Sequence, residues 1–246
     1  MNNLSRGAAR IGVFVPFTNT NLEADMAMMR PNGVSMHFTR IGGYDIDEVP
    51  DARQMAGLAQ SDMDEAIRLL AGARPDVMLY GCTSATLSLG PSFDSDLSSR
   101  IKQKSGACCI TAAGALVNAL KKLRITNVAF ASPYVAALND DAISFLASQG
   151  FNVVSRFDYP VDLGNYGQGE LQPDQILEFA LRADNPQAEA IVLSCTDLRS
   201  AEIIAVLEAQ TNKPVITSNQ AMLFAAMQTL QFKEAIEGYG RLFELL

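Results

Sequence analysis

Two apolar runs in this chain end in the same way. Residues 76–80 (Asp-Val-Met-Leu-Tyr) lead through Gly81 into Cys82-Thr83-Ser84, and residues 190–194 (Ala-Ile-Val-Leu-Ser) lead into Cys195-Thr196-Asp197, almost half the chain later. The flanking segments also match. Cys109-Ile110-Thr111-Ala112-Ala113-Gly114-Ala115 corresponds to Val215-Ile216-Thr217-Ser218-Asn219-Gln220-Ala221, and 13–16 followed by Thr18-Asn19 resembles 128–131 followed by Ser132-Pro133-Tyr134. A unit used twice in sequence is expected twice in space.

The rest of the pattern says what that unit is. Short apolar runs at 10–16, 34–41, 76–80, 107–111, 127–131, 152–157, 190–194 and 214–217 read as strands. Helical periodicity fills 55–73, 95–105, 112–123, 136–149, 173–183, 200–210 and 220–230. Strands alternating with helices of this length imply βαβ units and parallel sheet. Several runs are apolar throughout, as in a sheet covered on both faces. The fold class is α/β: two similar parallel-sheet halves related by pseudo-two-fold symmetry, with the active site in the cleft between them. No Gly, Ser or Pro linker separates the halves, so we place residues 1–114 together with 221–246 in the first and 115–220 in the second.

Composition narrows the partners. The 246 residues carry a net charge of −8, which repels nucleic-acid backbones and anionic lipid. No apolar run approaches the roughly 18–20 residues of a membrane span, and the polar N-terminal stretch 1–10 has no apolar signal core behind it. Four cysteines, two of them adjacent, do not make a disulfide framework. These features lead us to expect a cytoplasmic protein that binds neither nucleic acid nor membrane and assembles as a homo-oligomer, a dimer or tetramer. The single histidine, His37, argues against a histidine-based metal site or a Ser-His-Asp triad. We expect neither metal nor cofactor.

Each of Cys82 and Cys195 follows an apolar strand and precedes residues suited to a helix N-cap. Ligands of open parallel sheets bind at the carboxyl ends of strands. There a helix N-terminus would lower a thiol pKa from about 8.5 toward neutrality, and its free N–H groups can hold a carboxylate. Cys108 and Cys109 are assigned to core packing, and His37 to a satisfied or surface position. Asn19, in the loop after the first strand, either satisfies turn backbone or binds a substrate carboxylate; Tyr134 holds the equivalent place in the second half. The loop Gly164-Asn165-Tyr166-Gly167-Gln168-Gly169 lacks the register of a dinucleotide-binding turn and suits a loop over a site, into which Asn165 reaches. Arg199 is assigned to a surface pair with Asp197 or Glu202.

Val15-Pro16-Phe17-Thr18-Asn19-Thr20-Asn21-Leu22-Glu23, Gly81-Cys82-Thr83-Ser84, Ser132-Pro133-Tyr134 and Ser194-Cys195-Thr196-Asp197-Leu198-Arg199 resemble the maleate cis-trans isomerase group of the aspartate/glutamate racemase superfamily, near arylmalonate decarboxylase and the ectoine-utilisation protein. Glutamate racemases carry Asp-Ser-Gly after the first strand and Cys-Thr-His in the second half, and arylmalonate decarboxylases keep one of the two cysteines; this chain differs from both. The resemblance implies a site lined by Asn19, Cys82, Tyr134, Asn165 and Cys195, to which we add Thr83, Ser84 and Thr196. It implies cofactor-independent isomerisation of a small unsaturated dicarboxylate, maleate to fumarate, with Cys82 as nucleophile and Cys195 as its partner on the opposite face. Two alternatives stand: a cofactor-independent amino-acid racemase using both cysteines as acid and base, and a non-catalytic binder of small carboxylates. Thr18 and Asn21 depart from the commonest loop of that group, and Asp197 is awkward for it, since a carboxylate at a helix N-terminus would occupy the N–H groups and repel a dianion.

Overall fold

A computed structural model describes residues 8–42, 63–233 and 236–246. Two four-stranded parallel sheets dominate it. The first contains β1 (Ala9–Pro16), β2 (Val34–Ile41), β3 (Val77–Tyr80) and β4 (Cys108–Thr111) in the order β2-β1-β3-β4. The second contains β5 (Asn127–Ala131), β6 (Asn152–Phe157), β7 (Ala190–Leu193) and β8 (Val215–Thr217) in the order β6-β5-β7-β8. The two orders are the same permutation, so the repeat seen in sequence is a repeat of topology.

Around the first sheet run α1 (Leu22–Met29), α2 (Met63–Ala71), α3 (Thr83–Ser88), α4 (Gly90–Ser105) and α5 (Ala112–Leu123). The second carries α6 (Ala136–Ser148), the short α7 (Gly164–Gly167), α8 (Pro173–Ala183) and α9 (Ile204–Thr211), while α10 (Ser218–Leu230) follows β8 but packs mainly on the first half. Of the helix expected over 55–73, residues 55–62 lie outside the described residues. α1 and α3 were not anticipated: α1 has almost no amphipathic contrast, with buried Leu22, Met26 and Met29 beside exposed Met28, and α3 is only six residues long. α4 begins at Gly90, earlier than the predicted 95, because Pro91 fits its first turn. Among the described residues no helix is long and apolar enough to cross a membrane.

The central strands β3 and β7 are apolar at every position because alternate side chains enter different cores. Ile11, Val13, Val15, Val77 and Leu79 share one continuous core with Val128, Phe130 and Val192 of the other sheet. Phe14, Met78 and Tyr80 point the other way, into a core beneath α2 and α4. Ile191 and Leu193 do the same beneath α8 and α9. Burial on both faces with a period of two is what an α/β sheet requires.

The same device starts a helix at the end of each sheet. Thr111 closes β4 and its hydroxyl accepts the Gly114 N–H at 3.0 Å, capping α5. Thr217 closes β8, accepts the Gln220 N–H at 3.1 Å, and receives the Gln220 side chain on its own N–H side in a capping box. α10 is buried from Ser218 to Met227, packed against α5 and α1.

Cys108 corrects the expectation of core packing. β4 is the edge strand of its sheet, so its alternating side chains divide between solvent and core: Cys108 is exposed and Cys109 buried. His37 is partly buried, its Nε2 3.2 Å from the Ser35 hydroxyl.

Candidate active site

The carboxyl ends of β1, β3, β5 and β7 converge on one small cavity of about 40 Å3, room for only a few waters. Cys82, Thr83 and Ser84 enter from β3, Cys195 and Thr196 from β7, Asn19 from the loop after β1, Tyr134 from the loop after β5 and Asn165 from α7. Every site residue expected from the sequence lines this one cavity. Pro16, Phe17, Thr18, Gln168 and Asp197 complete the wall. Gln168 was missed as a site residue, although it belongs to the glycine-flanked segment singled out above. That segment forms helical turns whose Asn165 and Gln168 are buried, and Gln168 donates its Nε2 to the Asn165 carbonyl at 3.1 Å.

Gly81 sets the position of Cys82. A Cβ built there would stand 2.3 Å from Leu22 Cδ2 and 2.8 Å from the Phe14 carbonyl, so only glycine lets β3 turn this closely past β1 and α1. Cys82 is the N-cap of α3. Its sulfur makes no capping hydrogen bond but lies near the Ala85 backbone N–H, which favours the thiolate, and 3.7 Å from the Ser84 hydroxyl.

Cys195 differs from this. No helix follows it: residues 196–203 form turns, and α9 begins only at Ile204 rather than at the predicted 200. Its sulfur accepts the Asp197 backbone N–H at 3.3 Å and hydrogen-bonds the Tyr134 hydroxyl at 3.2 Å. The expected lowering of the thiol pKa values is overturned at both sites. Burial pushes the Cys82 thiol up despite its contacts with Ala85 and Ser84. Burial, reinforced by the nearby Asp197 carboxylate, pushes Cys195 up to about 12. Desolvation of a thiolate outweighs a single turn of helix dipole. Burial, with Cys195 beside it, also holds the Tyr134 phenol above its ordinary range.

Asp197 does not sit at a helix end. Its Oδ1 crosses to the first half and accepts the backbone N–H groups of Thr20 at 2.9 Å and Asn21 at 3.1 Å, and Asn21 Nδ2 at 3.0 Å. Burial raises its pKa to about 6. Arg199 pairs instead with Glu202 at 2.8 Å. A second carboxylate crosses in the opposite direction: Asp25 of α1 accepts the Ser200 hydroxyl at 2.6 Å, the Ala201 N–H at 3.2 Å and Asn219 Nδ2 at 2.9 Å, and burial raises it too to about 6. Asn19 bridges the halves at the cavity itself. Its Oδ1 accepts the N–H groups of Asn21 and Leu22, and its Nδ2 donates to Thr196 Oγ1 at 3.1 Å, which donates in turn to the Gly81 carbonyl at 2.9 Å. The structure bears out the turn reading of Asn19, and the same side chain also lines the cavity.

The profile of the family described as arylmalonate decarboxylase matches residues 11–243. The chain belongs to that family. Within it, the chain is 26% identical to the maleate isomerase of Pseudomonas putida, over 95% of this chain and 96% of that one. It is also 26% identical to the arylmalonate decarboxylase of Bordetella bronchiseptica, over 95% and 96%. Among solved structures, a mutant of the Nocardia farcinica maleate cis-trans isomerase with a covalently bound succinylcysteine intermediate superposes with a TM-score of 0.86 at 25% identity, covering 96% of this chain and 98% of the other. A liganded mutant of arylmalonate decarboxylase shares the fold, with a TM-score of 0.84 at 23% identity over 96% and 99%. The family fold of paired parallel sheets is the fold described above.

Proposed function

We propose that this chain is a maleate cis-trans isomerase that works through a covalent adduct on Cys82. One observation carries the reading: two buried thiols, Cys82 and Cys195, from matching strand ends of the two halves, line a single small cavity. The succinylcysteine intermediate held by the Nocardia farcinica relative supports it.

The barrier to isomerisation is rotation about a C=C bond. The Cys82 thiolate adds to one alkene carbon, and the π electrons move toward the carboxylate of the other end. The Cys195 S–H gives its proton to the second alkene carbon, leaving a succinyl group on Cys82. The former double bond is now single and turns. Cys195 takes the proton back, the C–S bond breaks, and the trans product leaves with both sulfurs restored. No step calls on a metal or a redox cofactor. The amides of Asn19 and Asn165, the Tyr134 hydroxyl and backbone N–H groups hold the carboxylates and the developing enediolate charge, while the Thr83 and Thr196 hydroxyls, already donated to Ser218 Oγ and the Gly81 carbonyl, shape the wall. Among the described residues, the cavity wall contains no Lys, Arg or His.

The test is direct: maleate is incubated with the protein alone and fumarate is followed by NMR. Formation of fumarate supports the reading. Inert maleate, together with deuterium exchange at Cα of aspartate or glutamate in heavy water, would replace it with racemisation by the same two thiols.

A further inference from the structure

Ser84 and Tyr134, both on the cavity wall, link the two thiols. Cys82 Sγ lies 3.7 Å from Ser84 Oγ, the Ser84 hydroxyl hydrogen-bonds the Tyr134 phenol, and the Tyr134 hydroxyl lies 3.2 Å from Cys195 Sγ. Sulfur, oxygen, oxygen and sulfur thus form one connected string. Hydroxyls donate and accept at once, so a string of them can pass a proton end to end.

We propose that Ser84 and Tyr134 form a proton relay that joins the two cysteines, making them one acid with two sulfurs rather than two independent thiols. The proposal rests on the two-cysteine reading above and adds Ser84 as the link. The transfer balances once the thiol pair has lost one proton to solvent. Cys82 S–H passes its proton to Ser84 Oγ, Ser84 passes its own to Tyr134 Oη, and Tyr134 passes its own to a Cys195 thiolate. The result is a Cys82 thiolate and a Cys195 thiol. The single negative charge can therefore rest on either sulfur, and its surroundings decide which. Asp197, two residues from Cys195 and held by the Thr20 and Asn21 N–H groups, places a carboxylate beside that sulfur. Cys82 has instead the Ala85 N–H and the Ser84 hydroxyl. The titratable groups on the wall are Cys82, Cys195, Tyr134 and Asp197, and among the described residues no cation joins them. The shared proton therefore stays on Cys195, and the relay delivers the nucleophile to Cys82. Ser84 acts here as a positioning residue.

Alkylation by iodoacetamide as a function of pH, mapped to each cysteine by digestion and mass spectrometry, tests this without any substrate. A chain that proves unable to isomerise maleate therefore leaves the outcome readable. In the intact protein, Cys195→Ala should shift the pH profile of Cys82 alkylation, because the second site for the proton is gone. Ser84→Ala should shift it likewise, by half a pKa unit or more, about a threefold change in rate near pH 8. Adding Cys195→Ala to Ser84→Ala should then shift it no further, as expected of two changes that cut one connection. Ser84→Thr, which keeps the hydroxyl, should restore the original profile. If Ser84→Ala does not fold, Tyr134→Phe breaks the same string at its other oxygen and should reproduce the shift. Equal shifts from Cys195→Ala with and without Ser84, or an unmoved profile in both Ser84→Ala and Tyr134→Phe, would overturn the relay.

Discussion

Replacing Asp197 by asparagine should make the protein more stable at neutral pH. The carboxylate is 4% exposed, and its pKa is raised from 3.8 to about 6 by burial, against the hydrogen bonds from Thr20 and Asn21 that favour the charge. A raised carboxyl pKa means that the folded state binds the proton more tightly than the unfolded chain does. Stability from this group is fully present below the unfolded value and is lost as pH rises through about 6. Two pKa units at about 1.4 kcal/mol each set a ceiling of about 3 kcal/mol on the cost of the charge at neutral pH. Roughly 2 kcal/mol of that loss falls between about pH 4.5 and pH 7.5.

Asparagine keeps the Oδ1 acceptor that the Thr20 and Asn21 N–H groups use, and it carries no charge to desolvate. Asp197→Asn should gain about 1–3 kcal/mol at pH 7.5, or about 3–10 °C in Tm for a domain of this size. The gain should shrink at pH 4.5. Thermal melts of wild type and variant across this range give the answer as a difference, which cancels the opposite contribution of exposed carboxylates such as Glu189, whose pKa is lowered by backbone N–H bonds. Asp25, raised to about 6 by its own burial, should leave the variant with a residual slope that Asp25→Asn removes. A variant less stable than wild type at pH 7.5, with a wild-type Tm that is flat or rising from pH 4.5 to 7.5, would refute the reasoning.

Cys82→Ser should abolish both turnover and adduct, a loss on the order of a thousandfold or more, whereas Cys195→Ala should add maleate and stall; intact-mass spectrometry should show one added substrate mapped to Cys82. An adduct on Cys195 in Cys82→Ala would reverse the roles. Because burial raises both thiols, kcat/KM for maleate should climb with pH from about 7 to 9 as the thiol pair loses its first proton, and an optimum at or below pH 7 would contradict it. Gly81→Ala should cost about 2 kcal/mol or more, read by denaturant melts, because its Cβ meets Leu22 and the Phe14 carbonyl.

The fold was legible because its signals are local. Runs such as Ala190–Leu193 and Val77–Tyr80 are apolar over a strand's length, and the helix expected over 112–123 starts at Ala112, whereas that expected from 220 starts two residues earlier, at Ser218. The site residues were legible for a related reason: strand ends fix where Cys82 and Cys195 must emerge, and their loops carry Asn19 and Tyr134 to the same face. What the sequence hid depends on long-range burial. Nothing local says that Cys108 lies on an edge strand, that the thiols are dry enough for desolvation to overcome the cap of α3, or that Asp197 pairs with N–H groups at Thr20 and Asn21, far away in the chain.

Those hidden features bear most directly on mechanism. The two halves repeat the sheet order but not the surroundings of the sulfur. Cys82 receives a helical N–H and a serine hydroxyl, while Cys195 receives a turn N–H, a phenol and a neighbouring carboxylate. A strictly symmetric pair would suit racemisation, in which base and acid exchange roles between enantiomers. An unsymmetric pair suits addition and elimination, in which one sulfur bonds carbon and the other handles only the proton. Asp197, which in sequence looked like an obstacle to a dianion, is in the structure a feature that tells the two cysteines apart.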